Sequence, residues 1–362
     1  MSRRRVVVLF GGRSVEREVS RISARTIVGA LDPEKYEVVP LSVGPDGRFF
    51  SSSASAALLS AGEVPEKFRR EAPGDAPGGA LVPAEMAPGR ADVVFPIVHG
   101  TTGEDGVLQG FLETLGIPCV GAGVTGSAIG MDKAIFKALL RDAGIPTPRS
   151  IAVVGGEETR ARARLEEAGL SVPFFVKPSA GGSSVGVTKV KEWSDLVPAI
   201  ALALRYDERA LVEEAIDARE LECAVLGNDA PRASVVGEVV PGHEFYDYED
   251  KYVDDRAKLL IPAPVAPAVS EEVRRLSVRV FRVAGISGMA RVDFFLERGT
   301  DRVLVNEVNT LPGFTSISMY PKLWEASGLP LRDLLDELIR LALERHEKRR
   351  LLSHEPPKKL TS

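Results

Sequence analysis

The sequence predicts an α/β protein, α+β in parts, with a doubly wound parallel sheet first and antiparallel sheets after it. Two observations carry this. Apolar runs at Val6 to Phe10, Val93 to Val98 and from Val120 onward are continuous, and each leads into a glycine-rich turn and a helical pattern, as parallel strands covered on both faces do. Later runs alternate instead: Arg291 to Leu296 and Val303 to Asn309 flank the polar loop "ERGTD", which suits an antiparallel hairpin.

Bulk properties narrow the field. With 362 residues, 44% of them hydrophobic and 27% charged, the chain is long enough for about two or three domains. A net charge of -5 offers no broad basic footprint, which argues against nucleic acid as a partner, and no apolar run approaches a membrane span. Cys119 and Cys223 sit far apart in apolar runs and read as buried thiols of a reducing compartment such as the cytoplasm. The opening "MSRRRVVVLFGG" is too short in its apolar part for a signal peptide and reads as a first strand.

Along the chain, residues 51 to 90 form an excursion rich in Ser, Ala, Pro and Gly, with no chemistry of its own. A helix is expected through Met131, Ile135 and Leu139, ending at "DAGIPTP". "PFFVKP" and "VGVTKV" read as strands around the loop "SAGGSS", followed by a helix from Trp193 to Leu204 and the strand "ALVEEAI". Then come the strands "LECAVL" and "SVVGEVV", an aromatic and acidic loop at Tyr246 to Tyr252, a helix near Val273 to Ala284 and the hairpin. The chain closes with a helix whose Leu331, Leu334, Leu335, Leu338, Ile339 and Ala342 make one apolar stripe.

Four constellations carry chemistry. In the hairpin, strand periodicity puts Arg291, Asp293 and Phe295 on one face of the first run and makes Val303, Val305, Glu307 and Asn309 share a face of the second, so that pairing brings Asp293 to Glu307 and Asn309. Such hard oxygen ligands suit magnesium shared with phosphates; a solvated face of salt bridges is the plainer alternative. In "KPSAGGSSVGV", Lys177 precedes a small-residue loop able to cradle an anion or simply to turn the chain, and no P-loop pattern is present. "VEEAIDARELE" offers backbone groups to a purine edge and a carboxylate to ribose, or is an exposed acidic turn. Near the start, "GGRSVEREVS" lacks the dinucleotide fingerprint, and its Glu16 suits an ammonium group. His99 lies at the carboxyl edge of a buried strand, where open sheets bind ligands and where structural histidines also occur.

Taken in order, "GGRSVEREVS", "VHGTTGEDGVLQG", "GMDKAIFK", "VKPSAGGSSVGV", "YDYEDKY", "RVDFF" and "NEVNTLPGFTSISMYP" make the chain resemble the bacterial D-alanine:D-alanine ligases of the ATP-grasp superfamily, from residue 11 to about 321. The resemblance implies an ATP-grasp fold divided into a Rossmann-like substrate domain (1–126), a central subdomain (127–215), a C-terminal subdomain with the metal hairpin and a lid loop (216–348) and a tail (349–362). It implies that ATP phosphorylates the carboxylate of one D-alanine and that the amine of a second attacks the acyl phosphate, giving the dipeptide of peptidoglycan precursors.

By the same resemblance, Lys133 and Lys177 hold ATP phosphates, with Lys251 also in the nucleotide site; Glu213, Glu214 and Ile216 frame the adenine, Glu220 binds ribose and Phe295 packs on the purine. Asp293, Glu307 and Asn309 bind two magnesium or manganese ions. Glu16 binds the first ammonium and links through Ser183 and Tyr252 to close a loop over the site, beside His99. Ser318 and the backbone near Met319 meet the second D-alanine, while Arg291 and Gly313 stabilise the tetrahedral oxyanion. The intact "YDYEDKY" favours an amine over a hydroxyl as second nucleophile. A homodimer is implied as well. Rival readings are another carboxylate–amine ligase, a non-catalytic nucleotide-binding module and a dehydrogenase.

Overall fold

The computed structural model describes residues 3–61, 82–87, 89–241 and 258–353. In the first sheet, β1 (Arg4–Gly11) lies between β2 (Tyr36–Val43) and β3 (Val93–Ile97), all parallel. Its side chains feed two cores, Val6, Val8 and Phe10 into one and Val7 and Leu9 into the other, which is why the strand reads as an unbroken apolar run. One face is covered by α1 (Arg17–Ala30) through Ala24 and Ile27, and by α2 (Ser52–Ala61), which fills the start of the Ser-rich excursion and buries Leu59. Leu112 of α3 (Val107–Thr114) covers the other. The run from Val120 adds only a bridge between Cys119 and Val94.

The helix expected through Met131, Ile135 and Leu139 is two helices, α4 (Val124–Met131) and α5 (Lys133–Asp142). The chain breaks at Asp132, whose extended backbone lets its carboxylate accept from the N–H groups of Ala134 and Ile135, both at 3.1 Å. Apolar spacing continues across the break, so periodicity hid it. Gly126 and Gly130 give α4 a bare face: an added Cβ would meet the Gly285 carbonyl at 2.9 Å and Thr310 Cγ2 at 2.8 Å.

A four-stranded antiparallel sheet follows, in the order β4-β7-β5-β6: β4 (Ser150–Val154), β5 (Phe174–Pro178), β6 (Thr188–Val190) and β7 (Arg209–Glu214). The strand expected at "VGVTKV" is thus only its last three residues. Leu165 of α6 (Ala161–Glu167) and Ile200 of α7 (Leu196–Ala203) pack against Phe174, Val176 and Val212, and this core is made wholly of residues between Val153 and Val212.

The third sheet is antiparallel, in the order β10-β9-β8-β11-β12: β8 (Ala218–Gly227), β9 (Arg232–Val240), β10 (Lys258–Leu260), β11 (Gly288–Glu297) and β12 (Val303–Asn309). Val273, Leu276 and Val280 of α8 (Pro267–Val283) cover one face. The hairpin forms as expected, with Asp293 directly opposite Glu307 and Arg291 opposite Asn309. One expectation fails: Val303 and Val305 do not share a face with Glu307 and Asn309. Phe294 pairs with Val305, so Asn306 is a bulged extra residue; the valines before it join Val292 and Phe294 in the core, and Glu307 and Asn309 after it turn to the other face.

The remaining face is covered by α9 (Met319–Ala326) and α10 (Leu331–Arg350). The apolar stripe of α10 packs at once on Val6 and Phe95 of the first sheet and on Ala224, Leu226 and Met289 of the third. Arg345 ties the same joint, donating to Cys119 O at 2.8 Å and Ser287 Oγ at 2.6 Å. Cys119 and Cys223 are both buried and unpaired with each other. Among the described residues no helix is long and apolar enough to cross a membrane.

Candidate active site

The three sheets leave two adjoining cavities between them. The larger, about 710 Å³, lies between the four-stranded and five-stranded sheets, within the range of roughly 300–1,000 Å³ common for ligand sites. Lys133, Lys177, Glu213, Glu214, Ile216, Glu220, Asp293 and Phe295 line it. The smaller, about 160 Å³, is walled by Glu16 and His99 from the loops after β1 and β3, by Asn309 at the end of β12 and by Gly313 and Ser318 beyond it. Lys133, Ser183, Glu222, Arg291 and Glu307 line both. Tyr252 and Lys251 lie outside the described residues; every other residue the sequence singled out borders one cavity or both.

Buried charge dominates the floor of the larger cavity. Glu213, 2% exposed, accepts from Lys177 Nζ at 2.7 Å and is also ion-paired with Lys137, which is fully buried. Burial opposes every charge here, yet the two ammonium groups hold the Glu213 carboxyl below its usual range. Burial also pulls Lys177 down, but Glu213 and Glu307 outweigh it and the ammonium is raised. Lys137 goes the other way: burial, helped by Lys177, prevails over Glu213 and lowers it to about 8. Glu214 is engaged elsewhere, accepting from the Arg149 N–H at 2.7 Å and its Nε at 2.9 Å.

Arg291 grips Asp293 with two parallel bonds of 2.7 Å and lies 2.9 Å from Glu222. Burial works against the guanidinium, but Asp293 and Glu222 raise it, so its charge is fixed. Lys133 starts α5, donates to the Gly181 carbonyl at 2.6 Å and stands 3.8 Å from Glu307. Asp132 fixes that helix start against the glycine loop: it accepts from Ser179 Oγ at 2.7 Å and pairs with Arg209 of β7.

The loop itself is held in an uncommon shape. Ser183 and Ser184 both have positive φ, 51° and 58°, and Ser183 Oγ donates to Glu16 at 2.6 Å, tying the loop to the first sheet. Beneath, His99 Nδ1 lies 3.4 Å from Glu104, which also accepts from the Gly100 N–H at 3.0 Å. Burial lowers the imidazole, but Glu104 and Glu16 leave it raised; burial also pushes Glu104 up. At the far wall, a Cβ on Gly313 would come within 2.9 Å of Ser318 Oγ, and Ser318 accepts from the Thr315 N–H at 2.9 Å.

Sequence reasoning missed Lys137, Glu222 and Glu104. Two left a signal: Lys137 stands one helical turn after Lys133, and Glu222 alternates with Glu220 along β8, opposite Asp293. For a metal, Asp293, Glu307 and Asn309 offer two carboxylates and an amide on one face; among the described residues no set of three His, Cys, Asp or Glu is arranged to hold an ion. Such an open, hard-oxygen set fits magnesium, which keeps waters and phosphates in its coordination.

A nucleotide-sized cleft between two antiparallel sheets, floored by lysines and backed by a parallel-sheet domain, defines an ATP-grasp fold. Comparison with known proteins agrees. A family model described as "D-ala D-ala ligase N-terminus" matches residues 5–122 and one described as "D-ala D-ala ligase C-terminus" matches 139–340; the chain belongs to the D-alanine:D-alanine ligase family. A D-alanine–D-alanine ligase of Thermoanaerobacter sp. (strain X514) is 45% identical, over 96% of this chain and 99% of its own. Among solved structures, the D-alanine-D-alanine ligase of Coxiella burnetii superposes with a TM-score of 0.83 at 38% identity, covering 97% of each chain. The VanG D-Ala:D-Ser ligase of Enterococcus faecalis gives 0.81 at 34%, covering 94% of this chain and all of its own.

Proposed function

We propose that this protein joins two D-alanines to D-alanyl-D-alanine with ATP, through an acyl phosphate, in the synthesis of peptidoglycan precursors. One observation carries the reading: the nucleotide-sized cavity and the small acid-walled one meet at Lys133, Ser183, Arg291 and Glu307, where a terminal phosphate and a carboxylate would be brought together.

In that arrangement Lys133 and Lys177 neutralise phosphate oxygens, with Lys251, and Glu213 keeps the Lys177 ammonium charged and aimed inward. Glu214 and Ile216 present the strand end to the adenine, Phe295 packs against it and Glu220 meets the ribose. Bound at Asp293, Glu307 and Asn309, two magnesium or manganese ions supply charge neutralisation to the phosphates. Glu16 takes the first ammonium, and its bond to Ser183 draws the glycine loop over the junction, with Tyr252 completing the link and excluding water. His99 borders that subsite. Arg291 and the bare backbone of Gly313 stabilise the oxyanion, and Ser318 meets the second carboxylate. The buried thiols suit the cytoplasm, and a homodimer is the assembly to test by sedimentation.

The test is ADP release that depends on D-alanine, with the dipeptide identified as product. Release only with another amino acid would overturn the reading. Likeness to a D-Ala:D-Ser ligase makes D-serine the comparison substrate, and D-alanine is expected to be preferred as second nucleophile.

A further inference from the structure

The buried lysine that lines neither cavity is the group left over by this mechanism. Lys137 is completely inaccessible, and its ammonium meets Glu213 and, at 3.1 Å, the Thr147 hydroxyl. A buried charge of this kind is costly unless it has a partner, and an apolar side chain of the same length would fill the space at less cost. What the lysine adds is direction. Glu213, which borders the larger cavity, has one oxygen on Lys177 and the other against Lys137, so its carboxylate is held between two cations. Thr147 anchors the far side, because its hydroxyl also donates to the Val305 carbonyl of the hairpin at 2.9 Å. The line Val305, Thr147, Lys137, Glu213, Lys177 therefore runs from the hairpin strand to the phosphate-facing lysine.

We infer that Lys137 is a positioning residue for nucleotide binding, acting through Glu213 to fix the Lys177 ammonium in the cavity. The inference rests on the ligase reading given above and adds a residue to it. With Lys137 removed, Glu213 retains only one cation and can rotate toward the space meant for the nucleotide, taking Lys177 with it. Nucleotide affinity should suffer; D-alanine, bound in the other cavity, should not feel the change.

The pH dependence has a definite sign. The groups facing this ammonium are Glu213, Lys177 and, more distantly, Glu307; burial, helped by Lys177, prevails over the two carboxylates and lowers Lys137 to about 8. Below that pH it is charged and holds Glu213; above it the hold is lost, so the KM for ATP should climb as pH rises through about 8.

The experiment measures KM for ATP and for D-alanine in the wild type and in Lys137→Met across that pH range. Expected is an ATP KM raised roughly tenfold or more, the scale found when an outer partner of a binding group is removed, with the D-alanine KM within about twofold and the alkaline climb gone. In Glu213→Gln, adding Lys137→Met should have little further effect, since both act along one line. An ATP KM in Lys137→Met within about twofold of wild type, or equal loss of affinity for both substrates, would overturn the inference while wild-type turnover left the ligase reading standing. Should Lys137→Met fail to fold, Thr147→Val removes the anchor but keeps the charge; a smaller rise confined to ATP supports the assignment, and an unchanged ATP KM overturns it.

Discussion

The first sheet meets the five-stranded sheet through one continuous apolar core, whereas the four-stranded sheet meets both through polar contacts. At the first joint Leu334, Leu338 and Ile339 of α10 pack on Val6, Phe95 and Leu226 together. At the second, the four-stranded sheet keeps its own core and reaches its neighbours through Glu16 with Ser183, Asp132 with Ser179 and Arg209, and Thr147 with Val305. Separating an apolar joint exposes core; separating a polar one exchanges hydrogen bonds worth about 1 kcal/mol net each for bonds to water. Relative displacement of the sheets is therefore cheapest at the boundary where the larger cavity lies. The first and five-stranded sheets are thus joined more firmly to each other than either is to the four-stranded sheet.

The sharpest way to break this comparison is chemical. Arg291→Ala and Glu307→Gln should each lower turnover by roughly 10² to 10³-fold while the three sheets remain folded, checked by ADP release and circular dichroism. Near wild-type turnover in either would remove the hairpin from the chemistry. Next, Leu338→Ala, in the apolar joint, should cost about 2–5 kcal/mol in denaturant unfolding with the ATP KM preserved. A large change in ATP KM there would show that the two joints are not separable. The smallest effect should come from Ser183→Ala in the polar joint: about 1 kcal/mol or less of stability, but a kcat/KM for D-alanine reduced about tenfold. Equal loss of stability at both positions would erase the distinction.

Much of this was legible in the residues. Strand alternation, with the two runs taken as a pair, set Asp293 against Glu307, and the motif resemblance put Glu16 beside Ser183, residues that lie 167 positions apart. What escaped has physical causes. The bulge at Asn306 is invisible to a period-two count, because one extra residue resets the parity without altering composition. The break at Asp132 was hidden by apolar spacing that persists on both sides, although an Asp ahead of a helical run is an N-cap signal. Lys137 was overlooked because lysines are presumed exposed, and only a carboxylate from a distant strand makes its burial tolerable. That α10 belongs to two sheets at once cannot be read from its stripe, which specifies a buried face but not what buries it.

The bulge in β12 has one last consequence. Because Asn306 is inserted between the pairs Phe294–Val305 and Asp293–Glu307, the strand carries one more polar residue than an unbroken alternation would, and Asn306 does border the larger cavity. A chain shortened by that residue would still seat Val303, Val305 and Val308 in the same packing while presenting one amide fewer. The number of donors offered to a bound molecule can thus change by single-residue insertion or loss, without any rearrangement of the interior beneath it.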